Sequence, residues 1–587
     1  MGKDVEKEDG RGDFTQDGTV DLKRNPVLRS KRGGWKACSF IVVFEVLERM
    51  AYFGIWSNLV IYLTKELHQG TVTSANNVTN WVGTTWITPI LGAYVADAHL
   101  GRYWTFLIGC AFYLLGMSLL TLAVSLSSLR PPRCPQTEKI TNCKQASKLQ
   151  LVVFYGALYI LALATGAIKP NISTMGADQF DDFDPKEKAH KLSFFNWWMF
   201  GIFFGSFCAN TFLVYIQDDV GWTLGYGLPT IGLLVAVMIF LTGTCFYRHR
   251  VPTGSHFTRM ARVIVATLRK WRVPIPDDPR ELYEIDLKEY KEKGKFRIQS
   301  TSSLRFLNKA SVQTGSSNSP WMLCPVTQVE ETKQMVRMIP IWIATLMPGL
   351  MFAQINTLFV KQATTLDSTV GSFHIPPASL GGSATITMLI TVVIYDRLFV
   401  KTMSRWTKNP RGITLLQRMG VGLALHVITM LVSSLTERWR LSVARDHGLV
   451  ENGGKVPLSI FILLPQFVLM GMAEAFSAVA IIEFFYDQAS ESMKSLGTSY
   501  SLASMGIGNF LSSFLLATVS HVSKKGGHHK GWITNNLNAS HLDYYYAFIA
   551  VLNLLNFIFF LSVSRFYVYR AEISDSMEVL KKGLQCE

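Results

Sequence analysis

Twelve stretches of this chain run for about twenty residues or more with few charges, the length a helix needs to cross roughly 30 Å of hydrocarbon. Water is absent from a bilayer core, so backbone polar groups there must pair within the segment, and these stretches are predicted to be helices. Six precede residue 250: 37–64, 78–98, 103–128, 149–174, 195–216 and 223–247. Six follow residue 332: 334–360, 377–400, 413–435, 456–486, 496–520 and 544–568. Only 17% of the residues are charged, against about 25% in ordinary soluble domains, which fits a chain spending much of its length in lipid.

The expected fold is an all-α membrane protein with twelve transmembrane helices in two six-helix bundles. Residues 1–36 form a charged N-terminal tail, 37–247 the first bundle, 248–332 a linker, 333–568 the second bundle and 569–587 a C-terminal tail. The linker holds 15 Lys/Arg and 9 Asp/Glu, so it cannot span and belongs on the cytosolic side. An even number of spans puts both termini there with it. The net charge of +15 is distributed mainly between apolar runs, where basic loops meet anionic headgroups, so the bilayer is the expected partner and nucleic acid is not. The plasma membrane is the expected location ahead of the vacuolar membrane, although these spans suit either.

Cys134 and Cys143 share an outer loop on this topology and can stand paired or unpaired. Asn77 and Asn538 head glycosylation sequons on the same side. Arg102 precedes Thr105 by three residues, making Thr105 a candidate phosphorylation position for a kinase. The histidines at 190, 249, 528 and 529 lie in loops without Cys or acidic partners at ligand spacing, so no metal site is expected. No nucleotide-binding or nucleophile-elbow motif occurs, and an enzyme is not expected.

Charges inside the apolar runs are the functional signal. The first span reads FIVVFEVLERMAYFGIW, with Glu45, Glu48 and Arg49 at i, i+3 and i+4 on one helix face. A charge at the bilayer centre costs about 2.5–3.5 kcal/mol on insertion scales, so three together require partners or a wet cavity. A Glu45–Arg49 pair leaves Glu48 over, and a second carboxylate beside one guanidinium makes a proton-binding site. Lys169 in the fourth span either snorkels to a helix end or faces the interior. Glu474, deep in the tenth span, has no basic neighbour on its own helix and must be protonated or find a partner on another. A Lys169–Glu474 ion pair across a central cavity would act as a gate between the halves.

Several motifs then carry a resemblance. Glu45 to Arg49 with Tyr52-Phe53-Gly54, GAYVADAHLGR at 92–102, IKPNISTMGADQFD at 168–181, SFFNWW at 193–198, PPASL at 376–380 and EFFYDQ at 483–488 resemble the proton-dependent oligopeptide transporter family of the major facilitator superfamily. The likeness is greatest to the plant nitrate/peptide transporter branch, including a stress-linked plant peptide transporter group. It implies a symporter working by alternating access, with Glu45, Glu48, Arg49 and Lys169 in proton coupling. Arg49, Tyr52, Lys169, Gln354, Asn356 and Glu474 would form the substrate site, and protons rather than a cofactor would be the coupling species. Di- or tripeptides are the expected substrates, with nitrate or another organic anion, or a transporter-like sensor, as alternatives.

Two positions depart from the family pattern. Where many peptide-transporting relatives carry Ser-Ile-Asn-Ile-Gly, this chain has Gly201-Ile202-Phe203-Phe204-Gly205. Where a nitrate-transporting type carries histidine, two residues before Gln354-Ile355-Asn356-Thr357, it has Phe352, which cannot hydrogen-bond nitrate.

Overall fold

A computed structural model describes residues 14–132, 143–181, 183–252, 254–286, 297–314, 319–408, 411–490, 493–525 and 531–567. Before the central stretch lie α1 (Gly34–Lys65), α2 (Thr71–Val95), α3 (Arg102–Ser125), α4 (Lys148–Ala177), α5 (Pro185–Cys208) and α6 (Trp222–Thr242). The central stretch carries α7 (His256–Arg269). After it come α8 (Val326–Arg337), α9 (Ile339–Ala344), α10 (Leu346–Ile355), α11 (Leu358–Ala363), α12 (Gly381–Ile394), α13 (Lys401–Thr407), α14 (Leu415–Asp446), α15 (Leu464–Gln488), α16 (Lys494–Lys525) and α17 (Leu542–Arg565).

Among the described residues nine helices are long and apolar enough to cross a membrane, or ten when Val326–Ala344 and Leu346–Ala363, bent by 41°, count as one span. α1 and α2 are long enough but more polar, the first through Glu45, Glu48 and Arg49 and the second through its Asn and Thr residues. Local chemistry sets several ends. Ser147 and Gln150 form a capping box at the start of α4, and Thr414 and Gln417 form another at α14. Asp184 caps α5 ahead of Pro185.

The apolar faces pack into separate cores. The largest joins α1 to α6 through residues such as Phe44, Phe106, Phe154 and Phe240. Two more form after residue 330, one around Phe359, Phe467 and Tyr546 and one around Met335, Phe484 and Phe485. α2 and α4 approach closely because Gly92 faces the Gly166 carbonyl, where an added Cβ would lie 2.0 Å from that oxygen. Gly83 and Gly506 let α2 approach α16 in the same way.

Short strands link the outer loops. β1 (Leu366–Asp367) lies parallel to β4 (Val456–Ser459) in the register Leu366↔Val456 and Asp367↔Ser459. β2 (Thr369–Val370) and β3 (Phe373–His374) form an antiparallel hairpin, with Thr369↔His374.

Several expectations from sequence are corrected. The N-terminal stretch is not wholly a free tail. α1 begins at Gly34, and residues 14–33 fold on themselves through the bridge Phe14↔Leu28 and are held to the rest of the molecule by the bridge Val20↔His249 and an Arg29–Asp181 ion pair of 2.7 Å. Arg248, fully buried, binds Glu187 at 2.8 Å and donates to the Arg32 carbonyl. His249 is not a free loop residue either, since its ring meets Tyr103 edge-on at 5.0 Å.

The central stretch is more than a linker. Val263 and Ala266 of α7 pack with Leu307, Ala310, Cys324 and Val329 into a small core of their own. The ninth apolar run was expected to end at 435, whereas α14 continues to Asp446 and buries Glu437 and Arg440 completely. Those two side chains pair at 2.6 Å, and Arg440 also donates to the Asn538 side chain. Asn538 is therefore buried in a network, not presented as a glycan acceptor. The Asn77 amide donates to Gln69 and Tyr155.

Thr105 is likewise unsuited to a kinase. It is 4% exposed, and its hydroxyl donates to the Gly101 carbonyl. Cys143 is disulfide-bonded. Cys134, residues 526–529 and the 569–587 tail lie outside the described residues.

Candidate functional site

A cavity of about 570 Å³ lies between the helices that precede and those that follow the central stretch. α1 brings Glu45, Arg49, Tyr52 and Trp56 to it, α2 brings Trp86 and α4 brings Lys169. From the other side come Phe352 of α10, Asn356 at the α10–α11 break and Glu474 of α15. The lining continues to Asp97, Arg102 and Ser495, at the end of the molecule where α1 starts.

The opposite end is sealed by contacts between the halves. Trp56 packs on Phe352 with ring centroids 5.0 Å apart. Beyond them Lys361 donates to Thr64, and the Thr71 amide donates to the Asn535 side chain.

Helical spacing places the charged cluster. Positions i, i+3 and i+4 share a face, and Arg49 turns to both acids, 3.1 Å from Glu45 and 2.5 Å from Glu48. Glu45 and Arg49 line the cavity, while Glu48 sits behind them at 0% exposure. Burying a lone charge in lipid-facing protein is prohibitive, so this carboxylate depends on Arg49.

Lys169 approaches because the Gly92–Gly166 contact brings α4 against α2 one turn earlier. Its ammonium lies 4.2 Å from the centroid of the Tyr52 ring and 4.8 Å from that of Trp86, both within cation–π range. The Arg49 guanidinium stands 5.5 Å from the same Tyr52 ring. Tyr52 thus touches both cations, and its hydroxyl is fixed by Thr85 at 3.0 Å.

The sequence-predicted residues divide clearly. Glu45, Arg49, Tyr52, Lys169, Asn356 and Glu474 share the cavity wall. Gln354 does not. Its amide donates to Ser512 of α16 at 3.1 Å, because residues two apart on a helix point to nearly opposite sides. The expected Lys169–Glu474 ion pair is also not formed. Among the described residues no carboxylate lies within 4.0 Å of the Lys169 nitrogen, and the nearest basic group to Glu474 is His426, at 3.9 Å.

Sequence reasoning missed the aromatic walls formed by Trp86 and Trp198, and it missed His426. The last was findable, as a lone ionisable residue within the apolar run at 413–435.

Comparisons with known proteins give the family. Residues 103–533 match the model of the POT family. The chain is 65% identical over 569 residues to Protein NRT1/PTR FAMILY 5.2 of Arabidopsis thaliana, covering 97% of each. It is 42% identical to Protein NRT1/PTR FAMILY 8.3 from the same plant, covering 94% of this chain and 95% of that one.

Among solved structures, the POT family transporter PepTSo aligns with a TM-score of 0.65 at 20% identity, over 90% of this chain and 97% of that one. A peptide transporter POT variant in complex with alafosfalin aligns with a TM-score of 0.59 at 16% identity, over 91% and 96%. These relatives are transporters rather than enzymes, and a charged, aromatic cavity between two sets of helices is what such a protein requires. By fold and by sequence together, this chain belongs to the POT family, in its NRT1/PTR branch, and is a membrane transporter.

Proposed function

We propose that this protein is a proton-coupled symporter of di- and tripeptides, built of twelve transmembrane helices in two six-helix bundles, residues 37–247 and 333–568. Both termini and the central stretch lie in the cytosol of the plasma membrane. The observation that carries this reading is Tyr52, which touches Arg49 and Lys169 on one wall of a cavity whose other wall carries Glu474. A zwitterion fits between walls of opposite charge.

Arg49 is shared between two carboxylates, one at its Nε and one at its Nη2. A proton arriving on Glu45 or Glu48 weakens one of these pairs and frees the guanidinium for a substrate carboxylate. Lys169, held over two rings rather than by an acid, joins that carboxylate. Glu474 takes the amine. Asn356, at the helix break, offers its amide to the peptide bond. Tilting of the two bundles then carries proton and substrate across together.

The energy suffices. At about 100 mV and one pH unit a proton brings roughly 2.3 plus 1.4 kcal/mol, enough for a several-hundred-fold gradient of a neutral solute.

Nitrate is a poorer fit. Phe352 offers it no donor, and Glu474 would repel it.

The test is current recording in a heterologous cell with dipeptide, nitrate or neither, at acidic and at neutral pH. The expected result is an inward current with dipeptide that is larger at acidic pH. Glu48→Gln should lose accumulation while keeping surface expression and substrate exchange. A current with nitrate and none with any dipeptide overturns the substrate, and unchanged accumulation in Glu48→Gln overturns the coupling role.

A further inference from the structure

Glu474 presents a problem that the opposite wall does not solve. It is 4% exposed, and its Oε1 has no hydrogen-bond partner. Among the described residues no Lys or Arg nitrogen comes within 4.0 Å of it. Behind it, on α14, stands His426, fully buried, with Nε2 3.9 Å from that same Oε1. The imidazole Nδ1 has no partner either. Two titratable groups therefore face each other, each with an unsatisfied atom, in a place where an unpartnered polar group is costly.

Ser477 bears on which imidazole nitrogen carries hydrogen. Its hydroxyl donates to the Ala473 carbonyl at 2.8 Å, so towards His426 Nε2, 3.3 Å away, its oxygen accepts. With the hydroxyl so placed, Nε2 carries the hydrogen, and it is also the nitrogen 3.9 Å from Glu474.

No other titratable group pairs with His426 or Glu474 among the described residues: α12 carries none, α16 carries Lys494 and Tyr500 towards its start, and Arg49 and Lys169 stand on the facing cavity wall. On α14, Arg418, paired with Glu483 of α15, lies about two turns away on one side and Glu437 with Arg440 about three turns away on the other. α10 carries no titratable side chain. α17 carries Asp543, near His541, and the phenols of Tyr544, Tyr545 and Tyr546 near its start, and Arg565 at its far end. α15 contributes Glu474 itself and, nine residues on, Glu483, with Tyr486 and Asp487 near its end.

We infer that His426 and Glu474 form a second proton-binding site, on the wall opposite the Glu45–Glu48–Arg49 cluster, in which His426 is the positioning residue. In the deprotonated state the Glu474 carboxylate faces the His426 Nε2–H. One added proton neutralises the pair, either as the carboxylic acid with a neutral imidazole or as the carboxylate with an imidazolium, and it titrates as a unit. A substrate amine competes for the same carboxylate, so its arrival expels that proton to the cavity. The inference rests on Glu474 as the amine-binding acid and assigns what holds that acid when no amine is present.

Infrared titration of the purified full chain tests it without substrate. The carboxylic acid band that Glu474→Gln removes should titrate in the wild type together with bands of isotope-labelled histidine ring. In His426→Gln the midpoint of the acid band should move by at least one pH unit. In Glu474→Gln the histidine bands should no longer change in the original window, a reciprocal readout that holds even when a His426 variant does not fold. An unmoved acid band in folded His426→Gln, or histidine bands unaltered by Glu474→Gln, overturns the shared site.

Binding separates this outcome from the broader reading. A dipeptide should bind with a pH dependence that its N-acetylated form lacks, and His426→Gln should alter that dependence. A wild type that binds neither peptide yet shows the coupled titration sinks the peptide reading and leaves the second proton site standing.

Discussion

Trp56 on α1 and Phe352 on α10 lie ring against ring, 5.0 Å between centroids, and join the two halves at the sealed end of the cavity. Phe352 also meets Trp86 edge-on at 6.5 Å. One side chain from the second half is thus set between two tryptophans of the first. An aromatic contact is worth about 0.5–1.5 kcal/mol beyond its buried area. Phe352→Ala should therefore shift the equilibrium towards the state open at the Lys65 end of α1 by roughly two- to tenfold. Labelling of Ser57→Cys by a membrane-impermeant maleimide added on that side should speed up correspondingly, and an unchanged rate would show that the ring contact does not hold the seal.

Arg440 and Glu437 are both fully buried and paired at 2.6 Å, with Arg440 also bonded to Asn538 and the Leu537 carbonyl. Removing one partner of such a pair leaves the other charge uncompensated, which costs about 3–5 kcal/mol. Arg440→Ala should lower the melting temperature of the purified protein by several degrees. The double substitution Glu437→Gln with Arg440→Met should recover much of that loss, because no charge is left behind. A double variant no more stable than Arg440→Ala would mean that packing, rather than charge, governs the site.

The folded segment at 14–33 rests on Asp181. Burial raises the pKa of this carboxyl, but the backbone amides of Gln16 and Phe183 and the Arg29 guanidinium outweigh it and hold the group below its ordinary value of 3.8. For a carboxyl depressed on folding, the stabilisation is present above the unfolded value and is lost only as pH falls through the folded one. The clasp should therefore stay closed from neutral pH down to about pH 4. Hydrogen exchange in residues 14–33, corrected for intrinsic rate, should be constant across that range and accelerate in Asp181→Asn. Faster exchange in the wild type on mild acidification would contradict this assignment.

The charged cluster of α1 is legible in the sequence, because three ionisable residues at i, i+3 and i+4 in an apolar run can be tolerated only on an inward face. Lys169 and Glu474 are legible for the same reason. What could not be read was which groups satisfy them, since spacing along one helix carries no information about its neighbours. Lys169 therefore turned out to rest on Tyr52 and Trp86 rather than on Glu474.

Gln354 shows the limit of a motif. It stands two residues before Asn356, but the helix turns one towards Ser512 and the other towards the cavity. Hydropathy ended the ninth run at 435 because Glu437 and Arg440 are charged, whereas their mutual pairing keeps them inside the fold. It also passed over the folded segments at 14–33 and around α7, whose small cores and β-bridges leave no run of apolar residues to detect.

α7 sits across the join between the halves. Just ahead of it the Gly254 amide is bound to the Asp97 carbonyl beside α2, while its own Phe257 and Met260 pack on the core around Met335 and Phe484. A helix of fourteen residues is a strut about 21 Å long and does not stretch. For the tilting proposed above, the backbone ahead of this strut turns most freely at Gly254, which stands at a φ of 97°. The join between the halves thus contains a stiff rod, residues 256–269, with a glycine bearing at its head.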